Sequence, residues 1–539
     1  MPDRPRPDAA VPAAEHRSAR SASTQRPRWR RGRALAAALV LALGLGAIGM
    51  GAFALVRPAG SAESSARIGV ILEPTSLDVR RTPGVASGQL LIDNVFQGLV
   101  GIRSGSVSEI VPVLATELPE VSADGTEYTF TLQRGVRFHS GERLSADDVV
   151  ASLSETLTTE RVGFTPRAIT RVNARTVQIT LAEPNRELMR ALAGAPGLIV
   201  RAEDAGEDGA SESGAAQDDA QAAVSVDGTG PYLVTEWELG DHLTLTKNPK
   251  YWGTPATLDT VDFRFLTQGR QAVQALKSGE VDVHTALLPS LREEFAGNPD
   301  FTLTRAAGPD VFTLAYNSEK APLSDQRVRT ALSLAINTEA IIASQNGDGT
   351  QLGGPISAGE PGYADLTAVN AYDPAAAKQL LSEAGQEHLN LTLSVPDHYD
   401  AAPLDLLKSQ LSAVGVAVTV RELEFPVWLE QVYTNHDYQL SYVDHAEADT
   451  LAAYANPESY FGYDSAFVQD RFAAAAASTD ADEAARLRGE AAARVAEDAP
   501  AKWLYNYTPT NVVGRHVSGF PSANTNARIN LAGVTVSPR

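Results

Sequence analysis

Beyond residue 66, apolar and polar positions follow two different periods. Residues 127–133 (EYTFTLQ), 177–181 (VQITL), 243–247 and 261–266 alternate at nearly every step, which predicts strands with one buried face. Elsewhere the period is helical. Val328, Ala331, Leu332, Ala335 and Ile336 recur at i, i+3, i+4, i+7 and i+8, with Ser324 as a candidate cap. Ser145 followed three residues on by Asp148 forms a capping-box pattern, opening a helix with Val149, Val150 and Leu153 on its apolar face. Asp373-Pro374 caps and starts a third helix, which Gly385 ends. Strand 389–395, a helix around 404–414 and strand 416–423 together predict a βαβ unit with parallel strands. Hairpins early and βαβ late imply at least two lobes. No unit of 20–50 residues repeats, which excludes solenoids and propellers.

Two stretches depart from these periods. Residues 1–33 are rich in Pro, Arg, Ser and Ala and predict a disordered basic arm. Residues 34–56 follow it as an uncharged apolar run, longer than the apolar core of an ordinary secretory signal and long enough to span a bilayer. The run reads as a signal-anchor or as a signal peptide, with Gly60-Ser61-Ala62 offering small residues to a peptidase. The arginines before it stay cytoplasmic and send the rest outside. Residues 202–223 are acidic, with no Lys, Arg, aromatic or branched aliphatic residue, and predict a solvated loop.

Charge and chemistry narrow the function. Among 539 residues, 66 acids against 45 Lys and Arg give −21, although ten Arg and three acids make residues 1–62 basic. An acidic body repels phosphate backbones, so nucleic acid is excluded as a partner. The chain has no Cys, hence no disulfide, thiolate metal site or Cys nucleophile. No G-x-S-x-G, S-x-x-K, H-E-x-x-H, phosphate loop or dinucleotide-binding glycine fingerprint occurs, and nothing calls for a cofactor. The body reads as a non-enzyme, with an exported hydrolase of non-local site as the remote alternative.

One segment, 438–454 (YQLSYVDHAEADTLAAY), concentrates polar chemistry. His445, Glu447 and Asp449 are spaced by two, so an extended backbone would set them on one face as a possible metal set. The competing reading is a polar strand end whose carboxylates face water or cap the next helix. Asp444 follows the apolar Tyr442-Val443 and, partly withdrawn from water, calls for a cation, either a ligand ammonium or a nearby Arg. Trp428 and Tyr442 belong to an aromatic-rich neighbourhood that suits either a wet cleft or an interdomain core.

Several stretches resemble the family 5 extracytoplasmic solute-binding proteins, the peptide, opine and nickel receptors of ABC importers. Residues 114–153 contain GVRFHSG and then LSADDVV. GTGPY at 228–232 precedes NPKYW, YNSEKAPLSDQRVRTAL falls within 316–337, DPAAAKQLLSEAG spans 373–385, and GVAV begins at Gly415. The order of these motifs matches the family from about residue 67 to the end.

The resemblance implies an α/β, two-lobed, three-domain fold of the periplasmic-binding-protein kind that closes by hinge motion. Domain I would comprise 67–98, 224–314 and 507–539, domain II 99–223, and domain III 315–506. It further implies a monomeric receptor handing a short peptide or similar amino-bearing solute to an ABC permease. In peptide-binding members the position matching Asp444 takes the ligand's α-ammonium, and the polar and aromatic residues near it add His445, Glu447, Tyr442 and Trp428 as candidate ligand residues. The chain departs from the peptide pattern at Ser441, where Trp is frequent, and at Ala448. A nickel or metallophore receptor using His445, Glu447 and Asp449 is the alternative.

Overall fold

The period-two segments form strands close to where the alternation places them. They are Glu127–Thr131, Thr176–Thr180, His242–Lys247 and Thr260–Phe265. A computed structural model describes residues 64–202, 226–306, 308–446 and 449–538. The basic arm, the 34–56 run and nearly all of the acidic 202–223 stretch lie outside the described residues, as does Glu447. Among the described residues no helix is long and apolar enough to cross a membrane.

Three sheets carry the architecture. A mixed seven-stranded sheet runs in the order Phe301–Arg305, Thr510–Gly514, Val283–His284, Ser65–Val70, Thr260–Phe265, His242–Lys247 and Tyr232–Glu238. A four-stranded antiparallel sheet holds Glu120–Val121, Glu127–Thr131, Thr176–Thr180 and Ala168–Asn173. A six-stranded sheet runs Gly349–Gln351, Ala501–Tyr507, Val311–Tyr316, Leu440–His445, Leu389–Pro396 and Val416–Leu423. The βαβ expectation holds here. Leu389–Pro396 and Val416–Leu423 pair in parallel, joined by helix Ala401–Ser412. Each sheet has its own apolar core, with Ile68, Phe263 and Val283 in the first, Phe130, Val149 and Ile179 in the second, and Leu314, Leu393 and Leu407 in the third.

The seven- and six-stranded sheets are joined by two chain crossings that run side by side. Arg305 pairs with Thr510 on one side of the crossings, and Val311 pairs with Asn506 on the other. The Asn506 amide donates to the carbonyls of Gly308 (3.1 Å) and Asp310 (2.8 Å), stitching one crossing to the other. Strand Val311–Tyr316 lies wholly in the six-stranded sheet, so a boundary between residues 314 and 315 would cut it. Pairing with Leu440–His445 extends back to Val311 and moves the crossing upstream to about 306–310.

The caps show which local signals decide helix ends. Ser145 and Asp148 make the reciprocal box ahead of helix Ala146–Thr156. Asp373 Oδ1 accepts from the Ala375 and Ala376 N–H groups, each at 3.0 Å, ahead of helix Pro374–Glu383. The cap of helix Gln326–Leu334 is Asp325, not Ser324. Its carboxylate accepts from Arg327 N–H at 2.9 Å, and Ser324 sits one residue too early.

The motifs are fastened to one another. Both ring nitrogens of His139, in GVRFHSG, face backbone carbonyls, Val226 at 3.3 Å and Gly230 at 3.1 Å. Trp252 donates to Thr229 O at 3.1 Å, so NPKYW folds back onto GTGPY. A Cβ on Gly228 or Gly230 would collide with the backbone carbonyls of Val95 and Asn94, which explains both glycines. Arg329, buried within the 316–337 motif, donates to the carbonyls of Leu323, Asp498 and Ala499 and satisfies the end of helix Ala481–Asp498.

Candidate functional site

Strand Leu440–His445 lies inside the six-stranded sheet, and Asp444 and His445 are its last two residues. The neighbouring parallel strand Leu389–Pro396 ends beside it, followed by Asp397, His398, Tyr399 and Asp400 before helix Ala401–Ser412. Ligand crevices in α/β sheets form at such carboxyl ends, because side chains there leave the sheet without being covered by the crossover helix. A cleft of about 1070 Å³, counting its open mouth, occupies this place. Its opposite wall comes from residues attached to the seven-stranded sheet, including Ile71, Leu72, Thr285, Leu288 and Asn526.

Asp444, His445, Tyr442 and Trp428 all line the cleft. Their exposure differs. Asp444 and His445 are part-exposed, whereas Trp428 and Tyr442 are 3% and 1% exposed and serve as the wall behind them. The Trp428 indole donates to Ser441 Oγ at 3.0 Å, so the serine that departs from the peptide pattern receives an aromatic from elsewhere in the chain. Tyr442 and Tyr505 share a hydroxyl–hydroxyl bond of 2.8 Å. The Asp444 backbone N–H donates to Tyr399 Oη at 3.0 Å, tying the ends of the two strands together. His445 Nε2 lies 2.8 Å from Tyr460 Oη.

Phe312 organises the aromatic side. It pairs with Asp444 across the strands and stacks on Tyr442 and Tyr505, each at 5.0 Å between centroids. Tyr399 and Tyr507 meet it edge-on at 5.2 and 5.4 Å. Burial first, then the carboxylates of Asp348, Asp444, Asp310 and Asp400, hold the Tyr507 phenol well above its ordinary range, so it stays neutral. Burial alone pushes His398 down to about 4, leaving it neutral at physiological pH. Asp400 reaches across the cleft, accepting from Ser290 Oγ at 2.6 Å and Ser290 N–H at 3.2 Å.

Of the metal set His445, Glu447 and Asp449, Glu447 lies outside the described residues and the other two turn to different partners. The strand ends at His445, so a period of two does not continue to Asp449, which stands at the start of helix Thr450–Ala455. Asp449 turns instead to Arg488, whose two terminal nitrogens reach its oxygens at 3.0 and 2.9 Å. Both side chains are nearly inaccessible, and the guanidinium occupies both carboxylate oxygens, so a metal at Asp449 would have to displace it.

Phe312, His398, Tyr399 and Asp400 escaped the reading of the sequence. A positional signal existed for three of them. PDHYD at 396–400 ends the first strand of the predicted βαβ unit, where crevice residues collect. Phe312 had no such mark.

The family model described as bacterial extracellular solute-binding proteins, family 5 Middle, matches residues 109–466. The chain is 28% identical over 368 residues to the di/tripeptide-binding protein 2 of Pseudomonas aeruginosa, an alignment covering 63% of this chain and 67% of that protein. It is 30% identical over 318 residues to the dipeptide-binding protein of Escherichia coli, covering 54% and 58%. The chain thus spans about three-fifths of the length of these curated relatives. In fold it resembles the oligopeptide-binding protein AppA of Bacillus subtilis in complex with a nonapeptide, with a TM-score of 0.78 and 19% identity, covering 89% of this chain and all of that one.

Proposed function

The chain belongs to the bacterial extracellular solute-binding proteins of family 5, and from that premise we propose that it captures short peptides or similar amino-bearing solutes outside the cytoplasm for an ABC permease. The 34–56 run would hold it to the membrane or direct its secretion. On this reading the seven- and four-stranded sheets make one lobe, the six-stranded sheet the other, and the two crossings near residues 306–310 and 508–509 are the hinge. Closure would bury the solute and exchange its hydration for protein partners without covalent chemistry. The permease must then favour the closed form, since only a difference in affinity between states drives delivery.

The observation that carries the reading is the placement of Asp444. A carboxylate at a strand end on the wall of an aromatic cleft is suited to a charge-assisted hydrogen bond with an α-ammonium. His445, Tyr442 and Trp428 would support it from the wall, with Glu447 two positions beyond His445 in the sequence. Calorimetry of the full chain with di- to pentapeptides should show saturable one-to-one binding. Acetylating the peptide N-terminus, or Asp444→Asn, should weaken it at least 30-fold, in line with about 2–5 kcal/mol for truncating one partner of a buried charge pair. Equal affinity for free and acetylated peptides removes Asp444 from this role.

A further inference from the structure

The charges around the cleft discriminate among amino-bearing solutes. A free peptide carries two charges of opposite sign, and a receptor that buries both ends needs a partner for each. The cleft carries two carboxylates on its six-stranded wall, Asp444 at the end of Leu440–His445 and Asp400 after Leu389–Pro396. Among the described residues that line it there is neither Lys nor Arg. His398, the other basic side chain beside His445, is neutral. On the seven-stranded side, Arg292 and Arg305 are both paired with the buried Asp348. The remaining lining is mainly apolar or aromatic, with Phe312, Tyr399, Phe425, Tyr433 and Leu288 prominent, and its other polar side chains, Gln89, Thr285, Gln345 and Asn526, are uncharged.

Resting on the reading of Asp444 as the ammonium partner, we infer that the cleft selects a cationic amine whose buried body is apolar and free of carboxylate, such as a C-terminally blocked peptide, over the zwitterionic free acid. The physical reason is asymmetric desolvation. An ammonium entering the cleft exchanges water for a carboxylate and for aromatic faces that attract cations. A ligand carboxylate entering the same space loses its hydration, finds neither Lys nor Arg among the described lining residues, and faces Asp444 and Asp400 across a medium less screening than water. Aromatic walls favour an apolar body between the amine and the mouth. Asp400 is the specificity-determining residue in this account, because it repels a carboxylate while its own oxygens are held by Ser290.

The test uses Ala-Phe and Ala-Phe-Ala, each as free acid, C-terminal amide and N-acetylated amide, titrated into the full chain and into Asp400→Asn by calorimetry. The amides should bind at least tenfold more tightly than the acids, and Asp400→Asn should narrow that ratio severalfold. Acids binding as well as or better than amides, with acetylation still abolishing binding, overturns this inference and leaves the ammonium site standing. An unchanged ratio in Asp400→Asn also overturns the role given to Asp400. Failure of all unacetylated forms to bind, or indifference to acetylation, overturns the ammonium site and the inference together.

Discussion

Replacing Arg488 by Met tests the arrangement that removed Asp449 from the cleft. Arg488 and Asp449 side chains are each 7% exposed and joined by two parallel hydrogen bonds. Glu187 also approaches Arg488, at 3.7 Å, and both Glu187 and Glu360 feel the field of Asp449. Arg488→Met keeps most of the buried stem but leaves three carboxylates without it, of which Glu187 and Glu360 still feel Arg190. Breaking a buried pair from one side costs about 3–5 kcal/mol, because the stranded charge keeps its desolvation penalty. With an unfolding entropy of about 2.1 cal/mol/K per residue, that is a fall in Tm of roughly 3–5 °C if all residues after 63 melt together, and about 8–12 °C if the six-stranded part melts alone. Differential scanning calorimetry distinguishes the two, since separate melting gives two transitions. Asp449→Asn in the Arg488→Met background should recover part of the loss, a coupling of about 1–3 kcal/mol in a double-mutant cycle. Asp449 also ends the short link from His445 to the next helix, so Arg488→Met should weaken peptide binding as well. Additive single and double variants, or a Tm unchanged within 1 °C, would refute the buried-pair account.

Other consequences follow from the same geometry. Gly230→Ala should destabilise the protein by about 1–3 kcal/mol, measured by chemical denaturation, since its Cβ must displace the Asn94 carbonyl in a closely packed region. Gly240→Ala meets no atom within 4 Å, though a positive φ of 76° still strains it, and it controls for the collision. Burial, then Asp449, raises the Glu360 carboxyl to about 7 against the opposing pull of Arg190, Arg488 and a backbone N–H. Its folded-state value exceeds the ordinary one, so its contribution to stability is whole below about 4.5, falls as pH rises and is gone above about 7. Tm should therefore fall from pH 5 to pH 8 more in the native chain than in Glu360→Gln, and equal slopes would contradict the assignment.

Local physics explains which parts of this structure were legible in the sequence. Alternation at 127–133 and 261–266 registers burial on one side of a pleated strand, a property of the segment itself once it joins any sheet. The Ser145 box and the Asp373 cap are short-range bonds between residues two or three positions apart. The βαβ unit at 389–423 follows from its periods and from the handedness of the connection. The candidate carboxylate was also visible, because an acid after an apolar strand end stands out without any tertiary information.

What the tertiary structure decided is which groups meet across long separations. Glu447 aside, the spacing of His445 and Asp449 could not show that the strand stops between them, nor that a guanidinium 39 positions beyond Asp449 claims it. Tyr399 reaches Asp444 from 45 residues upstream, and Ser290 reaches Asp400 from 110. His139 docks on the carbonyl of a glycine 91 positions away. A periodic pattern reports whether a side chain is buried; it carries no information on which distant partner desolvates it, and the charge balance of a cleft is set by those partners.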